Sequence, residues 1–446
     1  MTLITRMTTL PPDHPQRQVL ADEVHARPFE PVSAPATAGY VAVLVPEEAR
    51  AAELAHLGRL AQQYGATPPG PAETLWRVTL SGLRLKWERH GEFSGYLFLQ
   101  PQPAESDRSG TAPAAWDALP AGWFERIPGQ TIVAVRVDIR AASAAVPGVT
   151  GIAGRAADPD EIAAHFTGQT VVGSAVANGA GYAYTDFRLR SDGCVRMLLL
   201  DAGFNPRQAG RMLQRLLEIE AYRMLALLAL PIARRQAPRI AAIENALAHL
   251  TDGIARDDGR GEELLHELTR LAAEVESGLA ASRFRFGACR AYSDLVGRRI
   301  EELRESRIEG LQTIAEFMSR RFSPAVATCM NVENRLHDLS DRVSQASSLL
   351  ATRVGIAREK QNQQLLASME RRARQQLRLQ QTVEGLSVAA ILYYVIGLVA
   401  YVAKGLEAGG VPVNSSLVVL GAVPVAGAAV LWALRRARQH LHAPDL

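Results

Sequence analysis

Cysteine is nearly missing from this chain: Cys194, Cys289 and Cys329 are the only three in 446 residues, far apart and with no CxxC spacing. That usage suits a reducing compartment and argues against a structural zinc site built from thiolates. A strong charge balance is missing too, since 49 basic and 46 acidic residues leave a net charge of +3, with no global nucleic-acid footprint. There is no P-loop, no GxSxG elbow and no GxGxxG after a strand, so nucleotide and hydrolase chemistry lack support and no enzyme is expected. The opening MTLITRMTTLPPDHPQ has no apolar core, so no cleavable signal peptide is expected. Proline is absent between Pro324 and Pro412, which leaves a very long helix unbroken.

What is present, and organises the rest, is a pair of apolar runs near the end. Leu386–Ala403 and Ser415–Leu434 carry no charged side chain over 18 and 20 residues, and Lys404–Asn414 separates them. About 20 apolar residues cross a bilayer as a helix, and both runs fall in the working range of roughly 17 to 25. The competing reading is a helical hairpin buried in a soluble core, although a core hairpin of this length ordinarily keeps a polar face. Arg371, Arg372, Arg374 and Arg378 precede the first run, and Arg435, Arg436 and Arg438 follow the second. The positive-inside rule puts both clusters, and both termini, in the cytoplasm, as a multi-pass membrane protein. Such clusters also attract anionic headgroups of the lipid bilayer, the expected non-protein partner.

Upstream, the pattern alternates and then turns helical. A short helix is expected over Gln16–Val24, and prolines at 28, 31 and 35 keep the next stretch extended. Strands are expected at Tyr40–Val45, Leu75–Leu80, Leu83–Trp87, Phe93–Leu99, Thr131–Arg140, Thr170–Ala177, Ala183–Arg190 and Cys194–Leu200. Helices are expected at Pro46–Tyr64 and Pro159–Phe166. Asn205-Pro206 reads as an N-cap followed by proline at the first helical position, opening a helix that stops at Pro231. Further helices follow at Pro238–Leu250, Gly261–Gly278 and Arg283–Phe322. From Pro324 to Ala403 a continuous helix would measure roughly 120 Å at 1.5 Å per residue. Its early part carries a seam, Val332, Leu336, Leu339, Val343, Ala346 and Leu350, at intervals of four and three. Gln361–Gln364 is either a wetter part of the stalk or a solvated face. The fold class is therefore an α+β cytoplasmic domain (1–203), a helical domain (204–322), a long stalk helix (323–385) and a two-helix transmembrane hairpin (386–446).

That order resembles the CorA-like cation channels. The segment Gly405-Leu406-Glu407-Ala408-Gly409-Gly410-Val411-Pro412 resembles the Gly-x-Asn-x-Gly-Gly-x-Pro loop of CorA-related zinc transporters of the ZntB type, with Glu407 where that loop has Asn. The Gly-Met-Asn signature of the magnesium-selective members is absent. The resemblance implies a homo-oligomer, a pentamer, in a bacterial inner membrane, handling a divalent cation such as magnesium or zinc; no cofactor is certain from the residues. A second resemblance rests on Asp22–Pro28 (DEVHARP), Lys86–Phe93 (KWERHGEF) and Leu217–Arg223 (LEIEAYR). These strings are similar to those of an uncharacterised bacterial family described only as membrane-anchored, and they bring no activity with them.

On the first run, Glu384, Ser387, Ile391, Tyr394, Leu398, Tyr401 and Gly405 recur at intervals of three and four, which places them on one helix face. Polar groups in a membrane helix usually face a bundle interior or water. Around an oligomer axis this face would line a pore, with Ile391 and Leu398 as apolar constrictions. An interfacial aromatic belt with Tyr401 and Trp432 as anchors is the plainer alternative. Glu407, beside Gly409, Gly410 and Pro412, would form an outer carboxylate ring, or is a solvated loop charge opposed by Lys404. In the N-terminal half, His25, His90 and Glu92 are candidate ligands for a regulatory metal. The alternative pairs Arg27 with Glu88 or Glu92 and pins the N-terminal arm to the sheet. The expected function is a divalent cation channel or transporter with a cytoplasmic gating domain; the alternative is a non-conducting membrane-anchored scaffold or regulator.

Overall fold

The computed structural model describes residues 13–23, 28–103, 114–142, 162, 165–166, 170–256, 260–412 and 414–441. The chain divides into two compact units, Met1–Asp258 with Glu263–Ser347, and Gly259–Glu262 with Ser348–Leu446.

The first unit is built around one nine-stranded sheet, several of whose strands are buried on both faces. Its strands are β1 (Ala36–Leu44), β2 (Leu75–Leu80), β3 (Leu83–Arg89), β4 (Phe93–Pro101), β5 (Gln130–Ala141), β6 (Val172–Val176), β7 (Gly181–Thr185), β8 (Val195–Asp201) and β9 (Ser306–Arg307). They lie in the order β2-β3-β4-β1-β5-β8-β7-β6-β9, antiparallel throughout except for the parallel pair β5–β8. Hairpin turns join β2–β3, β3–β4 and β6–β7, whereas β1–β4, β1–β5 and β6–β9 pair across long stretches of chain. The parallel pair β5–β8 is separated by the segment between Ala141 and Val195.

Helix α1 (Arg17–Glu23) lies in the N-terminal arm, and α2 (Arg50–Gln63) packs on one sheet face. There Leu57, Leu60, Trp87, Tyr96, Phe98 and Trp123 form a core, each less than a tenth exposed. Helix α3 (Pro206–Leu227) covers the opposite face. Asn205 caps it, its side chain accepting from the Gln208 N–H at 2.9 Å, with Pro206 at the first position as expected. Helices α4 (Leu230–Arg256) and α5 (Gly261–Leu303) follow, then α6 (Ile314–Arg321), α7 (Ser323–Ala408) and α8 (Ser415–Leu441).

Several boundaries differ from expectation, each for a local reason. The expected helix Arg283–Phe322 is not one helix. Helix α5 ends at Leu303, Arg304 turns at φ 48°, and β9 returns to pair with β6. The chain then restarts with a Thr313–Glu316 capping box. Conversely, the break expected between Gly278 and Arg283 is absent: Ala and Leu fill it, and Gly278 sits inside the helix with its carbonyl accepting from Ser282. Pro231 does not simply stop α3 but occupies the first turn of α4, and Pro238 lies within that helix. Strand β7 ends before Phe187, which has φ 51°. The expected helix Pro159–Phe166 falls mostly outside the described residues.

The seam on α7 is buried where expected, with Val332, Leu336, Leu339 and Val343 each no more than 3 % exposed. Ion pairs flank it, Arg335–Glu244 at 2.7 Å and Arg290–Glu333 at 2.5 Å.

Candidate functional site

In the second unit the two apolar segments are the end of α7 and the start of α8. Both are long and apolar enough to cross a membrane, and only 6 % and 0 % of their apolar windows are buried. A hairpin inside a soluble core would be mostly buried, so the competing reading fails on this count. What contact exists is one-sided. On α7 Val388, Leu392, Ile396, Val399 and Ala400 are partly covered on one face, with Ala403 buried at 2 %, while Glu384 and Gly397 are partly covered off it. On α8 the partly covered residues are Ser415, Val419, Ala422, Ala426, Gly427 and Val430, small enough for close helix approach.

The stripe from Glu384 to Gly405 lies roughly 140° around α7 from that contact face at 3.6 residues per turn. Its apolar and aromatic members are open, with Ile391 53 %, Tyr394 75 %, Leu398 69 % and Tyr401 81 % exposed. Ser387 donates to the Val383 carbonyl at 2.9 Å, and Glu384 is half-buried. Upstream, Leu366, Met369, Ala373, Leu377 and Gln380 continue the same three–four rhythm, and all are exposed or nearly so.

The connection between the helices is shorter than its composition implies. Gly405 and Glu407 are helical, since α7 runs to Ala408. The Gly410 N–H donates to the Glu407 carbonyl and the Val411 N–H to the Leu406 carbonyl, both at 3.3 Å, with Gly410 at φ 85°. This is a Schellman stop, which demands a left-handed residue after the cap and favours proline soon after. Gly410 and Pro412 are thus explained by helix termination alone. Asn414 then caps α8, its side chain accepting from the Ser416 N–H. A cavity of about 380 Å³ opens at this end, lined by Ala400, Lys404, Ser415, Ser416 and Val419 among others.

The first unit holds the other candidates. His25 and Arg27 lie outside the described residues. His90 stacks on Phe93 at 4.2 Å, whereas Glu92 pairs with Arg285 of α5 and accepts from Tyr292. Burial and that carboxylate push the Tyr292 phenol up. Among the described residues no three His, Cys, Asp or Glu side chains converge as metal ligands. The strings Lys86–Phe93 and Leu217–Arg223 do meet: Lys86, Glu88, His90 and Phe93 share a small cavity with Leu217, Glu218, Ala221 and Tyr222. Lys86, 3 % exposed, pairs with Glu88 at 2.8 Å. Glu218 pairs with Arg299, Tyr222 stacks on Tyr292 at 5.6 Å, and Glu220 holds Arg223 at 2.6 Å. These side chains lock α3 and α5 to the sheet.

Sequence reading misses one cluster on the opposite sheet face. Glu53, fully buried, accepts from Trp87 at 3.0 Å and from Tyr96 at 2.5 Å. His56, one helical turn on, packs against Trp123 with ring centroids 4.7 Å apart, and burial lowers its pKa to about 4. Burial, then the Glu53 charge, pushes the Tyr96 phenol up. The partners lie 34 and 43 residues apart, and only Glu53 and His56 at i and i+3 on an apolar helix face signal them.

No curated protein and no solved structure matches this chain. These comparisons give no support for a CorA-like architecture. A family model does match, over residues 12–441, nearly the whole length. The chain belongs to the family described as protein of unknown function DUF3422.

Proposed function

We propose that this protein is a multi-pass protein of the bacterial inner membrane that assembles from identical copies through α7, with the Glu384–Gly405 stripe around a path for cations. The observation that carries this reading is the one-sided hairpin: α8 covers one face of α7 and leaves the stripe open. A second copy meeting the stripe gives Tyr394 and Ser387 a shared interior, the usual setting for polar groups in a membrane helix. The Leu366–Leu377 continuation gives the same copies an apolar contact before the span. Exposed arginines before α7's apolar segment and after that of α8 support cytoplasmic ends. A pentamer of CorA-like build, with the sheet unit as gating domain and magnesium or zinc as cargo, is the finer form of this proposal.

Metal uptake into liposomes tests it. Wild-type protein carries divalent cations, Tyr394→Ala changes the flux and Glu407→Gln lowers it. No wild-type flux, or flux indifferent to both changes, contradicts conduction.

A second reading keeps assembly and drops conduction: a membrane-anchored scaffold. It is favoured by the Schellman stop, which accounts for Gly410 and Pro412 without any ion. Copies that cross-link along the stripe but carry no metal would select it.

A further inference from the structure

Strand pairing in the first unit sets like charges side by side. Arg77 on β2 lies directly opposite Lys86 on β3, and Thr79 lies opposite Arg84 on the same face. Like charges in directly opposed positions repel, so such a face needs an anion. The N-terminal arm supplies one. Glu30 pairs with Arg77 at 2.7 Å and lies 3.8 Å from Arg84, and it is largely buried, its side chain 14 % exposed. The arm's backbone joins in: the Pro28 carbonyl accepts from Arg77 at 3.2 Å and the Pro31 carbonyl from Arg84 at 2.9 Å. Gly210 of α3 lets the arm lie this close, since a Cβ there would collide with the Glu30 carbonyl.

Charge is still not balanced. Arg77, Arg84 and Lys86 face Glu30 and Glu88, which leaves one positive charge in excess. Beside Glu30 a half-open cavity of about 150 Å³ remains, with Thr79 and the three cations on its walls and Leu97 and Leu99 at its floor. One water needs on the order of 10–15 Å³ of such space, so a phosphate-sized group fits. Two guanidinium forks and a buried ammonium suit a tetrahedral dianion better than a single carboxylate.

We infer that this groove binds the phosphate group of a small anionic ligand, and that Glu30 is a tethered carboxylate occupying the site in its absence. Binding exchanges the Glu30 carboxylate for the dianion on Arg77 and Arg84, and releases the arm from those two side chains. Lys86, held by Glu88, stays in place and supplies the buried charge.

The test uses full-length protein in neutral detergent, with inorganic phosphate and pyrophosphate as probes in calorimetric titration. Wild type binds weakly, and Glu30→Gln binds about tenfold tighter, because the competing charge is gone while the arm's carbonyls remain. In the Glu30→Gln background, Arg84→Ala weakens binding about tenfold. Thr79→Glu, at an exposed position that folding tolerates, abolishes it. Thermal melts of each variant separate lost binding from lost fold. No binding to the Glu30→Gln protein, or binding indifferent to Arg84 and Thr79, overturns the proposal. So does association with phosphatidylglycerol vesicles without any response to free phosphate, which would assign the charge to lipid headgroups.

Discussion

The two units treat their large apolar side chains in opposite ways. In the sheet unit Trp87, Tyr96, Phe98 and Leu57 are no more than 1 % exposed, and the one carboxylate among them is hydrogen-bonded. In the hairpin unit Leu386, Tyr401 and Leu420 are 74 %, 81 % and 72 % exposed. The first unit is a finished core. The second is a surface awaiting a solvent or a partner, because contiguous exposed apolar area on this scale marks a membrane or an interface. The apolar runs alone favour a spanning hairpin only by their lack of a polar face, and exposure adds the direct observation.

Substitutions in the two units should therefore behave differently, and the largest difference is expected at Glu53. Glu53→Ala leaves the Trp87 N–H and Tyr96 O–H without an acceptor and opens a cavity, for a loss of about 3–5 kcal/mol. Denaturant unfolding followed by tryptophan fluorescence reads it, and Leu398→Ala on the open stripe should leave the same transition unmoved. In the hairpin the sensitive property is insertion. Leu420→Arg should cost about 3 kcal/mol of insertion, read as protein lost from carbonate-washed membranes. An arginine there without effect would return the hairpin to a soluble setting.

Acid separates the units next. His56 has a folded pKa of about 4 against about 6.5 unfolded, so between those values the unfolded chain binds the extra proton. Stability of the sheet unit is complete above pH 6.5 and falls as pH drops toward 4, by up to about 3 kcal/mol from this group. His56→Gln should reduce that slope and leave the part due to His165, which burial also lowers to about 4, and an unchanged slope would assign it elsewhere. Smallest is the helix stop: Gly410→Ala forces a side chain into left-handed backbone, costing about 1 kcal/mol, visible as faster hydrogen exchange at Gly409–Val411 only.

The strand at Thr131–Arg140 is legible because its inward positions mostly alternate, whereas Tyr40–Val45 and Phe93–Leu99 are legible as short apolar runs buried on both faces. The seam from Val332 to Leu350 is legible because helical packing leaves the same kind of period. What is not legible depends on distance along the chain. Nothing near Glu53 announces Trp87 or Tyr96, and nothing near Arg77 announces Glu30. The return of β9 to the sheet is hidden because only two residues pair, too few for a pattern. On the stripe, spacing identifies the face, but only the position of α8 shows that this face stays uncovered. The loop teaches the reverse lesson, for glycines that resemble a family signature also answer a capping requirement.

Tyr393 and Tyr394 bring the account to one test. They are adjacent, both about three-quarters exposed, and point about 100° apart, Tyr394 on the stripe and Tyr393 off it. With Cys194, Cys289 and Cys329 replaced by serine, single Tyr394→Cys and Tyr393→Cys proteins are oxidised in native membranes and run without reductant. Copy-to-copy cross-links at position 394 and few at 393 are the predicted result. Equal yields at both positions, or none at 394, would contradict assembly around the stripe.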